Sequence, residues 1–243
     1  MKLLAVETST EACSVALWID GQVLERFEIA PRRHTELVLP WAGELLAEAG
    51  IAKSQLDAIA VGRGPGAFTG VRLAVALVQG MAMALDKPVV PVSTLAALAL
   101  QASLPAHAAQ QAGEQGHCIL AAIDARMGEL YLGLYRRDVQ QLLLALGDEW
   151  MAPPSAPKVP TTGRMIGVGS GFSADTQALV PALGEALGQF DAQALPHAAD
   201  IARLAALAFA RGEAITADLL EPAYLRNKVA LTLTEQATAR RDR

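Results

Sequence analysis

The run Gly62-Arg63-Gly64-Pro65-Gly66-Ala67-Phe68-Thr69-Gly70 is the first place in the chain where residue types and spacing could do chemistry. It joins a short apolar strand, Ile59 to Val61, to an apolar helix from Val71 to Leu85. Glycines at a strand-to-helix turn allow positive φ and close backbone approach, either to a phosphate at the helix N-terminus or to a neighbouring protein segment. Gly64, Gly66 and Thr69 are therefore candidate phosphate contacts. So are Thr8 and Ser9 in the turn Glu7-Thr8-Ser9-Thr10, although hydroxyl-rich turns also satisfy their own backbone. The more specific phosphate motifs are absent: no Gly-Lys-Ser/Thr follows the glycines, and Asp86 ends a helix instead of the next strand, where a ribose-binding acid belongs.

Other chemistries find less support. His34, His107, His117 and His197 stand apart with no HExxH or HxxxH pair, so no metal site is expected. Val168 and Phe172 occupy the positions where a nucleophile elbow around Ser170 would need glycine. Cys13 and Cys118 form no CxxC pair and read as buried, reduced thiols. Arg126, in a turn between two strands, could hold an anion or pair with an acid such as Glu129. No catalytic set and no cofactor site emerges.

The elements that must position these residues follow from periodicity and turn chemistry. Lys2 to Glu7, Ala12 to Ile19 and Val23 to Ile29 predict three strands, with Asp20-Gly21 a hairpin signal. His34 to Ala49 predicts an amphipathic helix closed by Gly50. The strand at Ile59, the glycine loop and the apolar helix come next, then a strand at Val89 to Val92 and a helix from Thr94 to Leu104. The small, polar stretch 106–116 suits a boundary, after which Ile119 to Ile123 and Leu130 to Arg136 begin strand, turn and strand again. Pro153 to Pro160 predicts an extended connector, Met165 to Val168 a strand running into Gly169-Ser170-Gly171, and His197 to Arg211 a helix. The expected architecture is α/β in two lobes, 1–105 and 106–230, each a mixed sheet flanked by helices, with a frayed tail over 231–243.

The helix after the glycine loop shows only Arg72 and Gln79 as polar residues before Asp86, and a helix apolar all round must be covered on both sides. From Arg72 to Asp86 it would be about 21 Å long, short of the ~30 Å hydrocarbon core, so a membrane span is not expected. One face should meet its own sheet and the other another protein. Leu37, Trp41 and Leu45 on the first helix and Val71, Val75 and Val78 on the second are the candidate docking residues, and a two-fold pairing of the same helices is the simplest homodimer. With 243 residues, 52% of them hydrophobic, and a net charge of −5, the chain can build a real core but should not grip nucleic acid strongly alone. No signal peptide is visible at the first residues, and a cytoplasmic location is expected.

Several segments, in order along nearly the whole chain, resemble one bacterial family. They are Leu4 to Leu17, Arg33-His34-Thr35-Glu36-Leu37-Val38-Leu39-Pro40, Gly64 to Arg72, Asp124-Ala125-Arg126-Met127, and Glu221-Pro222-Ala223-Tyr224-Leu225-Arg226. The family is TsaB (YeaZ), needed to make threonylcarbamoyladenosine (t6A) at position 37 of tRNAs. The resemblance implies an ASKHA fold, the two similar lobes of actin, Hsp70 and the sugar kinases, and kinship with the catalytic partner TsaD. In TsaD a histidine pair spaced HxxxH holds the catalytic metal; here the matching positions are His34 and Val38, so half the pair is missing. Glu7 replaces the aspartate usual at the first ASKHA phosphate motif, and the old glycoprotease label of the wider family is unsupported for this chain. The implied role is a non-catalytic scaffold that pairs with TsaD through the first-lobe helices, forms a homodimer when alone, recruits the ATPase TsaE and meets tRNA through the complex. A nucleotide-using ASKHA kinase or ATP hydrolase is the alternative.

Overall fold

A computed structural model of the chain describes residues 1–103, 117–137, 143–160, 163–173 and 178–226. The expected boundary stretch 106–116 and tail 231–243 lie outside the described residues.

The opening meander consists of β1 (Lys2–Glu7), β2 (Ala12–Ile19) and β3 (Gln22–Ile29). Asp20 and Gly21 turn β2 into β3 with φ of 46° and 103°, setting Ile19 opposite Gln22. Two positive-φ residues match the right-handed twist of the flanking strands. Helix α1 (His34–Glu48) follows and stops at Gly50, φ 65°. The Gly50 N–H bonds to the Ala47 carbonyl and the Ile51 N–H to that of Leu46, the Schellman arrangement a left-handed glycine permits. Strand β4 (Ala58–Gly62) runs parallel to β1, the glycine loop leads into α2 (Phe68–Leu85), and β5 (Val89–Val92) runs parallel to β4. The sheet order is β3-β2-β1-β4-β5.

The same plan then repeats. After α3 (Thr94–Leu100) come β6 (His117–Asp124), β7 (Leu130–Arg137), β8 (Leu143–Ala145), β9 (Trp150–Ala152), β10 (Met165–Val168), α4 (Leu179–Leu183), β11 (Leu187–Asp191) and α5 (Ala198–Ala210). The second sheet is ordered β11-β10-β6-β7-β8, with β9 also pairing β7. In both sheets an antiparallel hairpin carries a third antiparallel strand on one side and two parallel strands on the other. Two mixed sheets flanked by helices are the two-lobed ASKHA-type architecture that the sequence implies.

The lobes exchange helices. α3 leaves the first sheet yet packs Leu95, Leu98 and Ala99 on Ile119, Ala121 and Ile123 of the second. α5 leaves the second sheet yet packs Ile201, Ala202 and Ala205 on Leu3, Ala5, Ala60 and Val90 of the first. Dividing the chain at 105/106 therefore groups each helix with the sheet it leaves, not the one it covers. The other face of the first sheet, with Leu4, Val6, Val15, Ile59 and Val61, is covered by α1 and α2. Burial on both faces explains why β1 and β4 read as continuous apolar runs.

Some bounds differ from the sequence reading. α3 ends at Leu100 and is capped by Ser93, whose Oγ accepts the Ala96 N–H at 3.1 Å. β11 presents one buried residue, Leu187, so no apolar alternation marks it. α2 starts at Phe68, inside the glycine run, and its 18 residues are long and apolar enough to cross a membrane, not too short as the sequence reading had it. Its burial is one-sided: Ala74, Val75, Val78 and Ala82 pack into the core of the first lobe, and Val71 is buried beside Gly64 of the glycine loop.

Candidate functional site

The turn after β1 and the glycine loop after β4 close on each other. Gly66 and Gly70 carry no side chain because a Cβ there would lie 2.5 Å from the Ser9 carbonyl oxygen and 2.0 Å from that of Thr8. The Ala67 N–H donates to the Ser9 carbonyl at 2.7 Å, and the Thr8 hydroxyl donates to the Gly70 carbonyl at 2.7 Å. Gly64, at φ 95°, offers its carbonyl to the Thr94 N–H. Glu7, Thr8 and Ser9 are buried. The Glu7 carboxylate accepts the Ser9 N–H at 2.6 Å and the Thr94 hydroxyl at 3.0 Å. Burial pushes this carboxyl up from its ordinary value, against the hydrogen bonds from Ser9 and Thr94 that favour its charged form. Of the candidate phosphate contacts, Thr8, Ser9 and Gly64 are enclosed, Gly66 is half-buried and Thr69 is exposed. The glycines here serve segment-to-segment contact, the second of the two roles their spacing allows.

His34 is committed in a similar way. Its Nε2 lies 3.1 Å from the Thr10 carbonyl and 3.2 Å from that of Ala12. Two acceptors facing one nitrogen require the proton there, so the ring ties the start of α1 to the β1–β2 turn. Val38, four residues on, is fully buried. Among the described residues no three His, Cys, Asp or Glu side chains gather as metal ligands. Cys13 and Cys118 are free thiols; Cys13 is buried and its thiol is pushed up to about 12, by burial first and by Glu28 and Glu7 second, whereas Cys118 is half-buried.

The corresponding turn of the second lobe, Asp124 to Glu129, is open. Arg126 and Met127 adopt left-handed φ of 61° and 58° before Gly128 at 74°. Arg126 pairs with Asp124 at 3.0 Å, not with Glu129. Glu129 pairs with Arg226, whose Nη2 lies 2.7 Å from its carboxylate and also donates to the carbonyls of Ala125 and Arg126. The sequence drew attention to Glu221 through Arg226 without a role. That segment links the lobes: the Ala223 N–H donates to the Arg63 carbonyl at 2.8 Å, and the Tyr224 ring lies 5.1 Å from the Arg72 guanidinium.

The outward surface of α1 and α2 differs from the one expected. Leu45 and Val78 are fully buried and Val75 is 5% exposed, all three in the core under the sheet, while Val71, 5% exposed, is buried beside Gly64; Leu37 and Trp41 lie half-buried at the rim of the core. A helix apolar on every side does not reveal which stripe faces inward, and the branched valines take the sheet side. Outward lie Leu39, Pro40, Gly43 and Ala47 on α1, and Ala76, Gly80, Met83 and Ala84 on α2. Gly43 and Gly80 are exposed, lie within helices and have nothing within 4 Å of where a Cβ would stand. Glycine in a helix interior costs about 1 kcal/mol relative to alanine, and no contact inside the chain requires it at either place. The four-residue spacing of Leu39, Gly43 and Ala47, and of Ala76, Gly80 and Ala84, is the signal that could have located this face from sequence.

Comparison with known proteins agrees with the geometry. Residues 27–232 match the family model described as TsaD, tRNA N6-adenosine threonylcarbamoyltransferase. The chain is 39% identical to the tRNA threonylcarbamoyladenosine biosynthesis protein TsaB of Escherichia coli (strain K12), over 95% of this chain and 96% of that protein. It is 38% identical to the TsaB of Haemophilus influenzae, over 94% and 95%. A crystal structure of a Pseudomonas aeruginosa protein with similarity to peptidase YEAZ superposes with a TM-score of 0.80 at 44% identity, covering 93% of this chain and 99% of that one. With its duplicated lobes, a closed first-lobe turn and this likeness over nearly its full length, the chain belongs to the TsaB family of tRNA threonylcarbamoyladenosine biosynthesis proteins.

Proposed function

We propose that the chain is a non-catalytic, cytoplasmic subunit of the t6A-forming machinery, which docks to TsaD through the outward faces of α1 and α2. The same face pairs with a second copy when TsaD is absent, and the TsaD complex recruits TsaE. The observation that carries this reading is the pair of exposed helix glycines, Gly43 and Gly80. Their cost is unexplained inside the monomer and is explained by a partner helix approaching the backbone closely. A non-catalytic role is supported by the first-lobe turn, where the Glu7 carboxylate and the Thr8 hydroxyl, at the place of an ASKHA phosphate site, are enclosed and bonded to the chain itself. The alternative kinase or hydrolase would need Glu7 open to a nucleotide, and Glu7 is 1% exposed.

Two neighbouring positions test the docking face. Val75 points inward, so Val75→Glu buries a charge and should unfold the first lobe, at a cost of more than about 3 kcal/mol. Ala76 and Gly80 point outward. The Ala76→Glu, Gly80→Leu double variant should keep the wild-type unfolding temperature while sedimenting as a monomer and losing TsaD in a pull-down by at least about 100-fold. A folded double variant that still dimerises and still retains TsaD would place the interface elsewhere.

A further inference from the structure

We infer that the end of the molecule where Arg63, Phe68, Arg72, Met127, Tyr224 and Arg226 meet is a contact surface for tRNA, with an unpaired base lying on the aromatic faces and the phosphate chain along the arginines. The inference deepens the function proposed above and rests on it. Three of the large apolar side chains that the fold leaves in solvent gather here: Phe68 is 60% exposed, Tyr224 55% and Met127 81%. They come from three separate segments and both lobes, and each is held in place. The Arg72 guanidinium lies 3.2 Å from the Phe68 ring centre and 5.1 Å from that of Tyr224, and Arg226 Nη1 lies 3.2 Å from the Met127 sulfur. Rigid aromatic faces kept in solvent beside guanidinium groups are the equipment with which proteins bind single-stranded nucleic acid.

Charge selects a polyanion over an acidic or neutral protein face. Elsewhere on the surface Arg26, Arg33, Arg203 and Arg211 each hold a carboxylate, as Arg226 does with Glu129 within the patch. Arg63 and Arg72 form no ion pair among the described residues, and Arg72 Nη1 is a buried donor without a partner. A net charge of −5 over the whole chain keeps general affinity for nucleic acid low, so attraction rests on local groups such as Arg63 and Arg72.

The test uses the full chain in complex with TsaD and a labelled, unmodified tRNA transcript, titrated by fluorescence anisotropy at several salt concentrations. Arg63→Glu should weaken binding about 10-fold and flatten the log–log salt dependence by about one. The Phe68→Ala, Tyr224→Ala double variant should weaken it at least about 5-fold with the salt dependence unchanged, and Tyr224→Phe should bind as wild type. Variants that remain paired with TsaD and bind tRNA with wild-type affinity would overturn the inference. Loss of TsaD from the variants in place of loss of tRNA would also overturn it and make the patch a protein interface. If the wild-type chain itself does not pair with TsaD, the function proposed above fails. The same titration on the chain alone then judges the patch: Arg63-dependent tRNA binding supports it, and absent or Arg63-independent binding overturns it.

Discussion

Two turns in equivalent places of the duplicated fold have met opposite fates. In the first lobe the β1–β2 turn is sealed, because Gly66 and Gly70 let the following loop lie directly on the backbone of Thr8 and Ser9. In the second lobe the matching loop, Gly169-Ser170-Gly171, packs instead on β6: a Cβ at Gly169 would meet the Ala122 carbonyl oxygen at 2.4 Å, and one at Gly171 the Ala122 Cβ at 2.6 Å. It reaches the β6–β7 turn through the Ser170 hydroxyl, which accepts the Asp124 N–H at 3.1 Å. That turn is left in solvent and is held by Arg226 of the C-terminal segment. A shared strand order therefore does not conserve a site; what the glycine loop rests on decides whether the turn can meet a ligand.

The largest expected effect puts this contrast to a direct test. Gly70→Ala forces a Cβ onto the Thr8 carbonyl and should cost more than about 3 kcal/mol by urea unfolding. Gly128→Ala meets nothing within 4 Å and suffers only the strain of a left-handed alanine at φ 74°, about 1–2 kcal/mol. Equal losses would mean that the first-lobe turn is no more tightly closed than the second. An intermediate effect is expected at Arg226. Arg226→Ala removes the forked donor from two carbonyls and Glu129 and should cost about 2 kcal/mol, with faster proteolysis confined to the Asp124 to Glu129 turn. Arg226→Lys should recover less than half of the loss, because an ammonium cannot serve that planar set.

The smallest effect concerns the crossing of α5 onto the first sheet. His197, at the head of α5, lies 3.0 Å from Glu25 on β3, and the same carboxylate accepts the Ala199 N–H. The hydrogen bond that the ring donates to the Glu25 carboxylate holds the imidazole above its ordinary value, against the opposing effect of burial. The folded state thus binds the proton more tightly than the unfolded chain. This contribution is full below the unfolded value, about 6.5, and is lost as pH rises through the higher folded value. Between about pH 6 and pH 8.5 the wild type should lose about 0.5 kcal/mol more than His197→Gln, measured as unfolding midpoints across pH. A flat difference would detach the crossing from this pair.

The opening half of the molecule was legible because its signals are local. Asp20-Gly21 and Gly50 specify their turns through φ, and the strands of the meander keep their apolar pattern. The exchange of α3 and α5 left no such trace, since an amphipathic helix records that it covers a sheet but not which one. The outward surface of α1 and α2 was misread for a related reason. Val71, Val75 and Val78 differ little in hydrophobicity from the half-buried Leu73 and the outward Met83, and the informative residues were the glycines, which add nothing to an apolar count. The links made by Tyr224 and Arg226 join residues a hundred or more positions apart and show only once both lobes are folded.

The exchanged helix also sets a timetable for synthesis. Leu3, Ala5, Ala60 and Val90 present one apolar sheet face as soon as β5 leaves the ribosome, but their cover, Ile201 to Ala205, is translated more than a hundred residues later. At roughly 5–20 residues per second that face stays uncovered for on the order of 10 s, far longer than a chain needs to collapse or to find another molecule. The nascent first lobe thus keeps this face open until α5 arrives, and a chain ending before Ala198 would leave it without that cover.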